Sequence, residues 1–191
     1  MKKVVLSLAL FIIVAFIATS LVVLISSKAS PDSGVSKASL ENAVLEDART
    51  RFADADIVEI NNIEEKGGNK YIVVRVTYNY SSTCPIRKHV YYTYPEGLFL
   101  PEYPVNVITS CSFCKSGDCL IAYDEEAILA SVNAKGTAQV RDFAELNNAT
   151  PLVSKLGNIW KVKWVADNSV MEVALTQKGS LVDVKLINTT E

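Results

Sequence analysis

Three of the four cysteines, Cys111, Cys114 and Cys119, fall within nine positions of the stretch CSFCKSGDCL, residues 111–120, and the fourth is Cys84. Such a cluster can do three kinds of chemistry. A Cys-x-x-Cys pair is a redox-active dithiol when a helix N-terminus or a nearby cation lowers one thiol pKa. The same spacing is half of a tetrahedral zinc site. Outside a reducing cytoplasm an even number of cysteines instead forms disulfides, and four allow three pairings. The neighbouring residues favour disulfides. Cys114 runs into Lys115-Ser116-Gly117-Asp118, a turn and not a helix, with no parallel β-α-β unit around it. A zinc site would need its other thiolates from Cys84 and Cys119, 35 positions apart, all kept reduced. The spacing leaves the pairing of the four cysteines open. A bond from Cys84 into the cluster would tie down the segment between them.

Other catalytic constellations lack parts. His89 is the only histidine, in a strand beside Lys88 and Tyr91, so every histidine-based metal site or nucleophile pair would depend on it alone. It reads as a surface or hydrogen-bonded strand residue. Glu64-Glu65 abuts a hairpin, and Asp124-Glu125-Glu126 fits a helix start, with Asp124 as N-cap and the glutamates at the positive end of the dipole. No glycine-rich phosphate loop is present. The expectation is therefore of no catalytic residue, no metal ligand and no cofactor. Tyrosine is concentrated at Tyr71, Tyr78, Tyr80, Tyr91, Tyr92, Tyr94 and Tyr103. Cross-strand aromatic pairs account for some of this, and tyrosine is also favoured at recognition surfaces. Tyr71, Tyr91, Tyr92, Tyr94 and Tyr103 form the candidate binding surface, where the first sheet meets a proline-rich loop.

The elements that must position these residues begin after an apolar segment. Residues 4–26 carry no charge, glycine or proline. As a helix they would reach about 34 Å, enough for a hydrocarbon core of about 30 Å. Lys2 and Lys3 precede the segment, so residues 1–3 are expected as a cytoplasmic stub, 4–26 as a transmembrane anchor in the lipid bilayer, and the rest outside the cytoplasm. A cleaved signal peptide ending near Ala18 and Ser20 is the alternative, against which the apolar run continues through Ile25. Residues 27–38, rich in serine, read as a flexible tether. The formal net charge of −2 comes with no basic stripe, which argues against nucleic acid and against electrostatic docking on anionic lipid. The sequons at Asn79, Asn148 and Asn188 suit N-glycosylation of an exported protein and, with the short anchor, an archaeal surface.

Residues 39–191 are expected to form an extracytoplasmic α+β domain. SLENAVLEDARTRF places Leu40, Ala43, Val44, Ala48 and Phe52 on one helical face, with Ser39 as N-cap. DIVEINNIEE and NKYIVVRVTYNY flank Lys66-Gly67-Gly68-Asn69 as a hairpin. In the second strand Ile72, Val74, Val76, Tyr78 and Tyr80 share a core face, and Arg75, Thr77 and Asn79 a wet one. KHVYYTYP adds a third strand, and the proline-rich loop 95–123 follows. A helix from Asp124 ends before Gly136, and a second runs from Thr137 to about Leu146 with Val140, Phe143 and Ala144 inward. The last forty residues predict a three-stranded antiparallel meander whose apolar face holds Trp160, Val162, Trp164, Met171, Val173, Leu175, Val182, Val184 and Leu186. Helix followed by strands thus occurs twice, in halves 39–94 and 124–188. Either each half has its own sheet, or both build one sheet with helices on one face.

A helix followed by a short antiparallel meander resembles the small PepSY and cystatin-like domains found outside the membrane in envelope proteins, most closely over residues 137–187, ending TQKGSLVDVKLI. The resemblance implies an ectodomain of a single-pass envelope protein. A cystatin-type inhibitor is also expected to carry a Gln-x-Val-x-Gly hairpin, which Gln139-Val140-Arg141 does not continue. The resulting expectation is a non-enzymatic, membrane-anchored module that binds or assembles with a protein or envelope partner. The alternatives are a thiol-disulfide or metal-handling protein using Cys111 and Cys114, and a regulator of an envelope protease.

Overall fold

The computed structural model describes residues 36–94, 105–107, 111–117 and 119–188. The anchor expected over 4–26, Tyr103 and residues 95–104, 108–110 and 118 of the proline-rich loop lie outside them. No helix of the described residues is long and apolar enough to cross a membrane. Two compact units divide at Leu40. The first, Met1–Leu40, is described only over residues 36–40, where the backbone N–H of Ser39 donates to Ser36 Oγ at 3.1 Å and that of Leu40 to the Ser36 carbonyl at 3.0 Å. The first helix, α1 (Lys37–Arg51), is thus capped by Ser36 and not by Ser39, and it starts inside the stretch read as tether.

The second unit, Glu41–Glu191, is α+β with two separate four-stranded antiparallel sheets, and this decides between the two arrangements left open by the repeated element order. Sheet A runs in the order β1 (Ile57–Lys66), β2 (Asn69–Tyr78), β3 (Ile86–Tyr94), β4 (Val105–Asn106). Helices α2 (Asp124–Asn133) and α3 (Ala138–Leu146) follow. Sheet B is β5 (Thr150–Leu156), β6 (Ile159–Ala166), β7 (Ser169–Thr176) and β8 (Leu181–Asn188), again in chain order. Strand β5 and its turn at Gly157 were not among the expected elements: TPLVSKL has no clean period, and the strand is defined by pairing, Val153 opposite Val162. The β1–β2 hairpin closes as expected, with Gly67 and Gly68 at φ +62° and +81°, the left-handed backbone a two-residue turn demands.

The layers follow from burial. On one face of sheet A, Ile72, Val74, Val76, Val90 and Tyr92 are buried, and the Tyr92 hydroxyl donates to Asp47 Oδ2 of α1 at 2.8 Å. Val44 and Ala48 of α1 are fully buried, while Ala43, expected inward, is exposed. The opposite face was read as wet and is not: Arg75 and Thr77 are buried beneath α2. Helix α2 is covered from Glu125 to Val132 on all sides, because its other faces pack on sheet B. There Ile128, Val140, Trp160, Val162, Trp164, Met171, Val173 and Leu175 form the larger core, and the Trp164 indole N–H donates to Ser131 Oγ at 3.0 Å. In β8 the alternation expected for Val182, Val184 and Leu186 breaks. A bulge between Ala174 and Leu175 makes Val182 the extra residue, so Leu181 and Val184 turn to the core while Val182 and Leu186 stay exposed.

Tyr92→Phe removes one hydrogen bond between α1 and sheet A without opening a cavity. The expected loss is about 1 kcal/mol, read from urea unfolding of the full chain.

Candidate functional site

Chemistry-bearing side chains collect in two places, where α2 meets sheet A and where the cysteine loop meets the β7–β8 turn. The first is an ion cluster. Glu125, fully buried, accepts hydrogen bonds from Thr77 Oγ1 and from Arg75 Nη1, the latter at 3.1 Å, and lies 3.6 Å from Arg87 Nη1. Glu126 accepts from Arg87 Nη2 at 2.7 Å through Oε1, and its Oε2 accepts the backbone N–H groups of Ala122 at 2.6 Å and Tyr123 at 3.1 Å. Arg75 extends the cluster to Glu59 Oε1 at 2.7 Å. The Tyr123 ring covers it, with the Arg87 guanidinium 3.8 Å from its centroid, His89 edge-on at 5.9 Å, and the Asn61 amide donating to its hydroxyl at 3.1 Å.

The physical origin lies in two local choices. Arg75 and Thr77 are on alternate positions of β2, and Arg87 on the same face of β3, opposite Thr77. Tyr123, and not Asp124, is the N-cap of α2, so Asp124 begins the helix and Glu125 and Glu126 are carried one step further round, onto the sheet. The glutamates lie at the positive end of the dipole as expected, and there they also cap the helix and pair with the sheet arginines. Buried ions survive when opposite charges and hydrogen bonds replace their hydration, and Glu125 and Glu126 meet that condition. Burial holds the Asp124 carboxyl above its usual range despite Arg75, and raises the Tyr80 phenol to about 12, helped by the Asp124 and Glu125 carboxylates. Desolvation, and then the Arg87 charge, lower the His89 pKa, and its Nε2 is buried with no hydrogen-bond partner among the described residues. The arrangement is a clamp: both Glu125 oxygens are already bonded to the protein.

The second place settles the cysteine pairing. Cys84 is joined to Cys111 and Cys114 to Cys119, with no free cysteine among the described residues. The Cys-x-x-Cys pair is thereby split between two bridges, so Cys111 and Cys114 are not a mutual dithiol. The loop is held at its base by Asn133, whose amide donates to the Cys111 carbonyl at 2.6 Å and the Phe113 carbonyl at 3.1 Å while its Oδ1 accepts from Arg141. Further on, the N–H of Ile121 donates to the Gln177 carbonyl at 2.8 Å, laying the segment beside the end of β7. Gly179 in the β7–β8 turn, at φ +74°, passes directly under the second bridge, where an added Cβ would stand 2.9 Å from Cys114 Sγ. Between loop, turn and the end of α2 lies a cleft of about 580 Å³.

The tyrosine set does not form one surface. The pleat places Tyr71 and Tyr91 on the α2 side of sheet A and Tyr92 and Tyr94 on the α1 side. Tyr92 is 1% exposed, so it is a core residue tied to Asp47 and not part of a binding surface. Tyr71 is well exposed, and Tyr91 and Tyr94 are half-buried. Of the sequon residues, Asn79, Asn148 and Asn188 are all exposed. Asn79 and Asn148 have left-handed backbones at φ +54° and +47°, and Asn79 sits in a turn after β2, not on a strand face.

The clamp was legible in part. Arg75 interrupts the apolar run YIVVRVTY, and two glutamates open a helix, AILASV, that is apolar on every side. A strand and a helix each buried on both faces require their charges to meet. The cleft left no such trace, because its lining comes from three separate stretches of chain.

Glu125→Ala removes one of the two carboxylates that each of Arg75 and Arg87 faces and leaves the buried Thr77 hydroxyl without its acceptor, an expected cost of about 3–5 kcal/mol; urea unfolding should also show a smaller loss for Glu59→Ala, whose carboxylate is half-exposed. For Gly179→Ala, overpacking against the Cys114–Cys119 bridge and the left-handed backbone predict a loss of about 1–3 kcal/mol in the same measurement. The His89 pKa is lower folded than unfolded, so the unfolded chain binds the proton first and stability falls as pH drops below about 6.5. A Tm series from pH 7.5 to 5.5 should decline in this range, and His89→Gln should flatten it.

Comparison with protein-family models, curated proteins and solved structures finds no match to this chain.

Proposed function

We propose that the chain is a non-enzymatic, single-pass membrane protein whose α+β ectodomain, cross-braced by two disulfides, binds or assembles with a partner outside the cytoplasm. The observation that carries this reading is that all four cysteines pair off, Cys84 with Cys111 and Cys114 with Cys119. Such bonds form and persist in oxidising compartments. The uncharged residues 4–26 behind Lys2 and Lys3 supply the anchor and its direction. Exposure of Asn79, Asn148 and Asn188 is consistent with glycosylation of a surface domain. The ionisable cluster over α2 is occupied by its own salt bridges, which favours a structural role for it over general acid-base chemistry. The thiol-disulfide alternative loses its Cys111–Cys114 pair to two different bridges, and no contact among the described residues favours the protease-regulator alternative.

Full chain purified from membranes, alkylated without reductant and mapped by mass spectrometry, is expected to carry no alkylated cysteine. It should be four thiol hydrogens lighter than the reduced chain and yield Cys84–Cys111 and Cys114–Cys119 peptides. Labelled thiols, or a Cys111–Cys114 linkage, would sink the reading.

A further inference from the structure

The cleft beside the second disulfide brings together Lys115 from the cysteine loop, Lys135 just after α2 and Lys178 from the β7–β8 turn, with Ser116 and Ser180 between them. Three features separate it from an ordinary solvated surface. The chain as a whole is net negative, yet no carboxylate occurs among the cleft's described lining residues. The lysines also differ in pairing from those on the outer face of sheet B. Lys161 and Lys163 share Glu172 at 3.4 and 3.3 Å, and Lys185 meets Asp183 at 2.6 Å; Lys115, Lys135 and Lys178 form no ion pair among the described residues. The position of Lys135 at the negative end of α2 has a local explanation in the helix dipole; the other two have none. Finally, the walls are fixed. The Cys114–Cys119 bridge packs on Gly179, and Asn133 ties the loop to α2, so the backbone keeps the three exposed lysines around one cleft.

We propose that this cleft is a binding site for a multi-oxygen anion, a sulfate, phosphate or carboxylate group, either free or carried on a saccharide. Ammonium and hydroxyl donors carried on three stretches of backbone match an anion with several acceptor oxygens better than a monatomic one. The volume lies within the range of about 300–1,000 Å³ usual for small-molecule sites, more than one oxyanion fills. Because the backbone of the walls is held in advance, the ordering that opposes binding is confined to the exposed lysine side chains. The proposal rests on reading the chain as a binding module and is independent of its membrane anchoring.

The test titrates the full chain, in neutral detergent, with sodium sulfate, inorganic phosphate, a uronic acid and a sulfated disaccharide. Sodium chloride at matched ionic strength is the reference, and calorimetry and thermal unfolding are the readouts. Saturable binding of at least one multi-oxygen anion but not of chloride is expected. Lys115→Gln combined with Lys178→Gln should weaken it about tenfold or more, while Lys161→Gln combined with Lys163→Gln leaves it unchanged. Tighter binding of the disaccharide than of sulfate assigns a saccharide-borne anion; equal or weaker binding assigns a free one. No saturable response, a response shared by chloride, persistence in the Lys115 and Lys178 variant, or equal loss in the Lys161 and Lys163 variant overturns the site. Anion binding by a chain retained in the cytoplasm would defeat the proposed location and leave the cleft standing. An exported chain with closed disulfides and no anion response would defeat the cleft alone.

Discussion

The carboxylate of Glu125 is the interaction on which the arrangement of this molecule depends. It sits with no exposure between a helix that belongs to one sheet and two strands that belong to the other, and it takes Thr77, Arg75 and Arg87 at once. Apolar packing could hold α2 against sheet A at many rotations, since dispersion and the hydrophobic effect are nearly indifferent to direction. A buried carboxylate is not indifferent. Moved by one helical step it would lose Thr77, Arg75 and Arg87 together and lie buried without partners, and that cost selects a single register. Glu126 adds to this by capping the helix with one oxygen and holding Arg87 with the other, so the start of α2 and its docking are determined by the same side chain.

With α2 fixed, the rest follows. Its far side organises the larger core around Trp164, whose buried indole N–H finds Ser131, and its C-terminal end presents Asn133 to the cysteine loop. The disulfides hold what the clamp does not reach. Cys84–Cys111 closes a separation of 27 residues, worth about 3.5 kcal/mol in the chain-entropy view, and shortens the path from sheet A to α2. Cys114–Cys119 closes only 5, worth about 2 kcal/mol on the same view, but it shapes a rigid loop over Gly179. The bridges therefore act as staples for the long connection between the halves, and the cleft is a by-product of how tightly the shorter one is seated.

The charged groups divide by what they face. On the outer side of sheet B, Lys161 and Lys163 pair with Glu172 across neighbouring strands and Lys185 pairs with Asp183 along β8, in water, where each pair contributes little. Between the layers, Glu125 and Glu126 pair with Arg75 and Arg87, although both arginine Nε atoms and Arg87 Nη1 make no hydrogen bond among the described residues. Around the cleft, exposed lysines from three segments line one surface with no acid among the described lining residues. None of the salt bridges among the described residues uses that third set, which is why the proposed anion site is placed there.

Much of this was legible in the order of residues. Period-3.6 and period-2 patterns placed both helices after Asp124, the glycine hairpin at 67 and 68, and the inward faces of β6 and β7, because burial on one face leaves a repeat that the eye can follow. Where a residue's neighbours lie on a different stretch of chain, the pattern failed. Arg75 and Thr77 read as solvent-facing because alternation shows which residues share a face and says nothing of whether a second layer covers it. Tyr92 read as surface because a tyrosine looks the same whether its hydroxyl meets water or Asp47. In β8 one bulge reversed the alternation, a choice made by pairing with β7. The cysteines announced a braced loop, and tertiary packing alone chose Cys84–Cys111 and Cys114–Cys119 among three pairings, since a disulfide forms between atoms that the fold brings together and not between neighbours in a list.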